Sequence, residues 1–322
     1  MHASESKADL TGADQSLRQR RIEFHHFHPE SDEQKKSNQS SKSCLTKNSP
    51  KATFFILGWI AERLPGLVRE IHARGHEIAS HGYYHKLCTE QSPDALKKDL
   101  CDSKKLLEDT TGAPVYGYRG PSFAINEDIL KVIEDCGYLY DSSYNSFALH
   151  GRYGHIDLSQ NGTKGIAFEI SNALNGSNER SDRTNLASSA ISMNNMFPSS
   201  QLRNFSSSLS SPRFYELPIS NLKLGNNMLP WGGGTYFRLL PSPLFEMGVK
   251  SILKKHGAYL FYMHPWEVDP AQPKVNQAPR FFKFRHYVNL DKAASKLSSF
   301  VEAFKQCSFV TCHQYLYMLG EN

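Results

Sequence analysis

Hydrophobic patterning divides the chain sharply at Lys51. Residues 1–50 are polar, rich in Ser, Lys, Gln and His, without a sustained period, and read as a disordered N-terminal segment. ATFFIL (Ala52–Leu57) is then a continuous apolar run, the pattern of a strand covered on both faces. Leu64, Leu67, Val68 and Ile71 mark one helical face, and Gly75 supplies a stop. HEIAS (His76–Ser80) reads as a short strand. Ser92-Pro93-Asp94 combines an N-cap, a proline at the first helical position and an acidic first turn, opening a helix that runs to about Gly112. VYGYR (Val115–Arg119) is the next strand. Asn126-Glu127-Asp128 caps a helix through Ile129, Leu130 and Ile133 that ends at Gly137, and YLYDSS (Tyr138–Ser143) returns as a strand.

The same alternation resumes at Phe214-Tyr215-Glu216-Leu217. The glycine-rich WGGGTYFRLLP (Trp231–Pro241) leads to a helix over 243–256 closed by Gly257, and AYLFYM (Ala258–Met263) reads as a strand. A final helix from Leu290 to about Lys305 precedes CSFVT (Cys307–Thr311) as a last strand. Strands alternating with helices predict an α/β fold with a parallel sheet, open or closed into a barrel. Residues 171–211 break the pattern: they are dominated by Ser and Asn, and so long a structureless stretch reads as a disordered insertion. The predicted domain thus spans 51–319, interrupted at 171–211.

Composition narrows the possibilities. With 322 residues, 39% hydrophobic, the chain can bury one sizeable core with extensions. A net charge of +5 is mildly basic, but no Lys/Arg block is dense enough for nucleic-acid binding. No apolar run reaches the roughly 18 residues needed to span a bilayer. The N-terminal stretch lacks an apolar signal core, so a cytoplasmic location is expected, with the six cysteines as reduced, mostly structural thiols.

The candidate chemistry sits at strand ends. Ser80-His81-Gly82-Tyr83-Tyr84-His85 follows HEIAS directly, and a spacing of four lets His81 and His85 face one metal ion. Three further clusters each end a predicted strand: Arg119-Gly120-Pro121-Ser122-Phe123, Asp141-Ser142-Ser143, and His264-Pro265-Trp266-Glu267. Each has a bland reading, with Arg119 a surface charge, Asp141 a turn cap and His264 a satisfied core histidine. Four successive strand ends carrying polar functional groups are what an α/β active site requires.

GHEIASHGYYH, YRGPSF, YDSS and FYMHPWE, in this order, resemble the motifs of the polysaccharide deacetylase family, the NodB-homology group also called carbohydrate esterase family four. WGGGTYFRLLP and the RHYVNLD stretch (Arg285–Asp291) resemble the subgroup associated with bacterial exopolysaccharide clusters. The resemblance implies a distorted (β/α) barrel of about seven strands. It also implies a hydrolase that removes acetyl groups from an acetylated polysaccharide or oligosaccharide. By resemblance, His81 and His85 are two of three protein ligands to a divalent metal, zinc in most members. His264 is the acid that protonates the departing amine, Arg119 orients a catalytic aspartate, and Asp141 supports the histidine acid. Tyr83, Pro121, Ser122 and Trp266 are candidate substrate contacts, with core packing an equal alternative for Tyr83 and Trp266.

The family's first motif, an aspartate-bearing strand of the type T-F-D-D, should precede ATFFIL. Residues 1–50 offer Asp9, Asp14 and Asp32, none after an apolar strand-like run, and Ile22-Glu23-Phe24 before His25-His26-Phe27-His28 comes nearest. The barrel is therefore expected to lack its first strand, leaving an unpaired edge. The site should lack its base and third ligand, so that metal is held weakly and hydrolysis is poor. A catalytically inactive carbohydrate-binding or scaffold relative on the same fold is the alternative that the missing aspartates favour. An unrelated histidine-metal protein is a third.

Overall fold

The two apolar runs predicted to open the sheet pair as expected. β1 (Thr53–Ile56) and β2 (Glu77–Ser80) run parallel, with Thr53 opposite Glu77 and Ile56 opposite Ser80. Parallel strands need a crossover, and the chain supplies it as α1 (Gly58–Arg63) and α2 (Pro65–Ala73). The helix predicted on Leu67, Val68 and Ile71 is α2; α1 before it was not predicted, and the two are separate because Pro65 opens α2 and Leu64 leaves helical geometry at φ −128°, ψ 52°.

The computed structural model describes residues 50–147, 154–159, 161–170, 213–275 and 277–320. The predicted N-terminal segment up to Ser49 and the predicted insertion at 171–211 lie outside them. α3 (Pro93–Thr111) begins and ends as its sequence signals dictate. Ser92 Oγ accepts from Ala95 N at 3.3 Å, and Gly112 closes the helix at φ 70°. β3 (Gly117–Tyr118), α4 (Glu127–Asp135, capped by Asn126 on Ile129 N at 2.8 Å) and β4 (Tyr140–Asp141) follow.

β5 (Gly162–Lys164), β6 (Ala167–Ile170) and β7 (Phe214–Glu216) complete a seven-stranded sheet in the order β1-β2-β3-β4-β7-β6-β5. β1 through β4 and β7 are mutually parallel, and β6 and β5 extend the sheet antiparallel. The fold is thus α/β with a mostly parallel seven-stranded sheet, as expected. Among the described residues the sheet does not close into a barrel, and β1 is an edge. β8 (Leu222–Leu224) and β9 (Asn227–Leu229) form a separate hairpin, followed by α5 (Gly234–Leu239), α6 (Ser242–His256), α7 (Arg280–Tyr287), α8 (Leu290–Ala303) and α9 (Cys312–Gly320).

Two predicted strands are not ladder strands. AYLFYM makes one bridge, Tyr262 with Gly233, because the chain opposite it turns into α5 at once and leaves no length to pair. CSFVT meets the sheet edge through a single bond from Lys51 N to Phe309 O, 3.2 Å, before the chain enters α9.

Two apolar clusters hold these layers. One joins α2, α3 and α4 to the sheet through Val68, Leu100, Leu107, Val115 and Ile133, all fully buried. The other gathers Trp231, Phe237, Phe245 and Phe300 beneath α5, α6 and α8. At the N-terminal end of the strands, Glu77 accepts from Thr53 Oγ1 (2.6 Å), Tyr140 Oη (2.7 Å) and His313 N (3.1 Å). That network ties three strands and α9 together at the end opposite the predicted site. No helix among the described residues is long and apolar enough to cross a membrane.

Candidate functional site

The C-terminal ends of β2, β3 and β4 deliver the predicted residues to adjacent positions, because the parallel register sets Ser80 beside Tyr118 and Tyr118 beside Asp141. His81 follows β2 by one residue. Its Nδ1 lies 2.6 Å from the carbonyl oxygen of Arg119. A carbonyl only accepts, so Nδ1 carries the hydrogen and Nε2 keeps its lone pair, the tautomer a metal ligand needs. Burial is the main cause that pulls the His81 pKa down to about 3, against the opposing bond to Arg119. The imidazole is therefore neutral at physiological pH.

His85 faces His81 edge-on, ring centroids 5.0 Å apart and planes at 74°. A turn with Gly82 at φ 73° and His85 itself at φ 58° brings it there. Asp99 on α3 braces this turn, accepting from Tyr83 N at 3.1 Å. The two histidines are the pair expected to ligate a metal. Among the described residues no group of three His, Cys, Asp or Glu side chains converges, so no third protein donor joins them.

Arg119 is buried, its guanidinium 4.1 Å from the Phe55 ring centre and near Tyr262 at 5.8 Å. Its Nε donates to Ser142 O at 2.8 Å and its Nη2 to Ser142 Oγ at 2.7 Å. No carboxylate among the described residues pairs with it. Pro121 is buried and Ser122 half-buried in the tight turn that follows, where Ser122 (φ 55°) and Phe123 (φ 58°) both adopt left-handed backbone. Strain of that kind is stored where geometry matters.

Asp141 is wholly buried. Its carboxylate accepts from Ser143 N (3.0 Å) and Ser143 Oγ (2.7 Å), and it lies opposite Glu216 in the β4–β7 register. Glu216 is equally buried; Oε1 accepts from Tyr144 N at 2.9 Å, while Oε2 has no donor. Burial raises both pKa values; the neighbouring Asp141 lifts Glu216 further, well above the usual carboxylate range, whereas the bonds with Glu216 and Ser143 partly offset the rise at Asp141. A proton on Glu216 Oε2 donated to Asp141 resolves both facts at once. Support for His264 was expected from Asp141 and comes instead from Glu267.

His264 is exposed, and its Nδ1 lies 3.2 Å from Glu267 Oε1, which also accepts from the His264 backbone N–H at 3.0 Å. Glu267 in turn accepts from Arg238 Nε at 2.9 Å, with both side chains almost fully buried. Burial pushes the Glu267 pKa up, but the bonds from His264 and Arg238 outweigh it and hold the acid below its ordinary value. Trp266 stacks on the His264 ring (5.4 Å, 20°) and on His286 (4.1 Å, 15°). Tyr262 links the two parts of the site, its ring 6.0 Å from that of His264 and 5.8 Å from the guanidinium of Arg119, whose carbonyl holds His81. Tyr83 packs its ring over Gly58 of α1 and against Tyr84.

The glycine run explains how Glu267 fits. A Cβ on Gly234 would lie 2.5 Å from both carboxylate oxygens of Glu267. Gly234→Ala should therefore displace Glu267 and destabilise the fold by about 1–3 kcal/mol, read from urea unfolding midpoints. Sequence reading missed Glu216, Arg238 and Asp99. Glu216 carried a usable signal, as an acidic residue ending an apolar strand. Arg238 lay inside the WGGGTYFRLLP stretch without being singled out, and Asp99, inside a helix, carried no signal.

Residues 32–140 match the family model described as polysaccharide deacetylase, and residues 186–317 match one described as a domain of unknown function, DUF3473. A peptidoglycan-N-acetylglucosamine deacetylase of Bacillus cereus is 33% identical over 94 residues, covering 29% of this chain and 44% of the relative. The peptidoglycan deacetylase-like protein FGM2 of Gibberella zeae is 38% identical over 93 residues, 29% of this chain and 28% of its own. The chain thus spans less than half the length of these curated relatives. Among solved structures, the family 4 carbohydrate esterase of Streptomyces lividans in complex with acetate overlaps 36% of this chain and 57% of its own at 23% identity, TM-score 0.29.

Proposed function

With the polysaccharide deacetylase family supported over residues 32–140, we propose that the strand-end cleft binds an N-acetylated carbohydrate polymer and hydrolyses its acetyl groups in a divalent-metal-dependent reaction. Zinc is the proposed metal and an exopolysaccharide the proposed polymer, the latter on the strength of the WGGGTYFRLLP and RHYVNLD stretches. The observation that carries this reading is a neutral, tautomer-fixed His81 beside His85, linked through Arg119 and Tyr262 to a Glu267-braced His264.

A bound zinc ion would polarise the acetyl carbonyl and acidify water. The chain's own residues do the rest. Glu267 accepts the Nδ1 hydrogen of His264, which leaves Nε2 to carry and release a proton at the departing nitrogen. Trp266 fixes the imidazole plane by stacking, and Ser142 fixes Arg119 at the cleft floor. With His81 and His85 as the two donors among the described residues, metal should be held weakly there.

One set of observations favours a second reading, a carbohydrate binder without hydrolysis: no third donor among the described residues, and an Arg119 bonded to Ser142 where a carboxylate was expected. Acetate release from N-acetylglucosamine oligomers, with added zinc or cobalt, separates the two. Hydrolysis predicts release that falls by about 100-fold or more in His264→Ala. It also predicts bound metal that is lost in His81→Ala, measured by elemental analysis. No release despite oligomer binding establishes the binder.

A further inference from the structure

A pair of sulfur atoms lies in the seam where α3 packs on α4. Cys101, in the middle of α3, donates through Sγ to Cys136 Sγ at 2.8 Å. Cys136 closes α4, and its own S–H points to the carbonyl oxygen of Lys97, 3.6 Å away. Both are free thiols, half-buried and 35 residues apart in sequence. The other described cysteines lie elsewhere. Cys88 Sγ meets Tyr118 Oη at 3.1 Å, Cys307 packs on the Trp231 cluster, and Cys312 opens α9.

Two sulfurs could hold a metal, a hydrogen bond or a covalent bond. A metal does not fit. Two thiolates on a tetrahedral zinc stand about 3.8 Å apart, given Zn–S bonds of about 2.3 Å, and among the described residues no third donor joins these two. A hydrogen bond alone gains little, because S–H is a weak donor and sulfur a weak acceptor. A disulfide does fit. Its S–S bond is about 2.05 Å, so closing it asks for less than about 1 Å of sulfur movement, which side-chain rotation supplies. Burial pushes the Cys136 thiol up, and the bond from Cys101 pushes it further. A thiol held in this way exchanges slowly, which suits a lasting staple and not a rapid redox catalyst.

We propose that Cys101 and Cys136 are a modification site, a dithiol that closes to a disulfide by exchange with a small-molecule disulfide of the glutathione type and staples α3 to α4. One protein thiolate attacks the small disulfide, forming a mixed disulfide and expelling one small thiolate. The other protein thiolate then attacks the protein sulfur of that intermediate, forming the Cys101–Cys136 bond and expelling the second small thiolate. Two electrons pass to the small disulfide, and the two protons that the protein releases convert the expelled thiolates to thiols. The staple sits beside the histidine turn. Cys101 stands two residues after Asp99, which braces that turn through Tyr83 N, and the chain beyond Cys136 enters β4, which ends in Asp141.

The test incubates the full chain with oxidised glutathione at about pH 8, near the ordinary thiol pKa, with reduced glutathione as the control. Free thiols are then alkylated and peptides mapped by mass spectrometry. The expected result is a linked pair of peptides carrying Cys101 and Cys136, which dithiothreitol separates. Oxidation should also raise the melting temperature by about 5–10 °C, the shift expected for closing a loop of this length. Cys101→Ser and Cys136→Ser should each abolish the linked peptides and the shift. The unmodified chain alone decides the matter if either variant fails to fold. Full alkylation of both cysteines after oxidation, a glutathione adduct that never resolves, or linkage of either cysteine to a different one overturns the pair. An unchanged melting temperature with the bond formed overturns the staple.

Discussion

Arg238→Ala should lower the free energy of unfolding by roughly 3–5 kcal/mol, the range for removing one partner of a buried ion pair. Arg238 is 1% exposed and its partner Glu267 also 1%. Besides the 2.9 Å bond to Glu267, its guanidinium donates to the carbonyls of Val288 at 2.6 Å and His286 at 3.1 Å. Those carbonyls belong to the last turn of α7 and the link to α8, so the one side chain fastens these helices to α5. Truncation leaves Glu267 Oε2 buried without its donor and the carbonyls of Val288 and His286 without theirs. The double variant Arg238→Met/Glu267→Leu should lose clearly less than the two single variants added together, because it removes both charges at once. Urea unfolding decides the matter. A loss for Arg238→Ala below about 1 kcal/mol would sink the claim that this pair anchors the C-terminal helices.

The second large effect concerns pH. Glu216 and Asp141 are both raised in the folded state, chiefly by burial, and Asp141 raises Glu216 further. In the unfolded chain both ionise near pH 4. Above that pH the folded state retains a proton that the unfolded state has released, so the folded state binds more protons. Stability must then fall as pH rises, by about 1.4 kcal/mol per unit for the one proton, until Glu216 ionises in the folded state and the slope ends. Glu216→Gln keeps a donor toward Asp141 and cannot ionise. It should flatten the decline, matching the parent at acid pH and exceeding it at neutral and alkaline pH. Urea midpoints measured from about pH 5 to pH 9 check this. Parallel curves for the two proteins would show that Glu216 is already ionised in the fold.

Local signals were readable where the physics is local. The Ser92 and Asn126 caps, the Gly112, Gly137 and Gly257 stops, and the apolar runs of β1 and β2 all sit where their residues dictate. The approach of His81 to His85 was equally readable, because a parallel strand end followed by His-x-x-x-His constrains both imidazoles within one turn. AYLFYM and CSFVT were misread for the opposite reason. An apolar run states that a segment is covered, but a strand exists only if a partner runs beside it. Gly233 offers AYLFYM a single bridge before α5 begins.

The sequence by itself determined the alternation of strands and helices, the edge position of β1 among the described residues, and the pair His81 and His85 as candidate ligands. Tertiary structure alone decided which acids serve the site. Asp141 turns inward to Glu216 and Arg119 bonds Ser142, outcomes set by which buried groups meet across strands distant in sequence, and the Glu267 that braces His264 from three residues on is itself fixed by Arg238 from another helix. Composition and spacing carry no record of that choice, since a buried charge is stabilised by whatever partner the fold brings within reach.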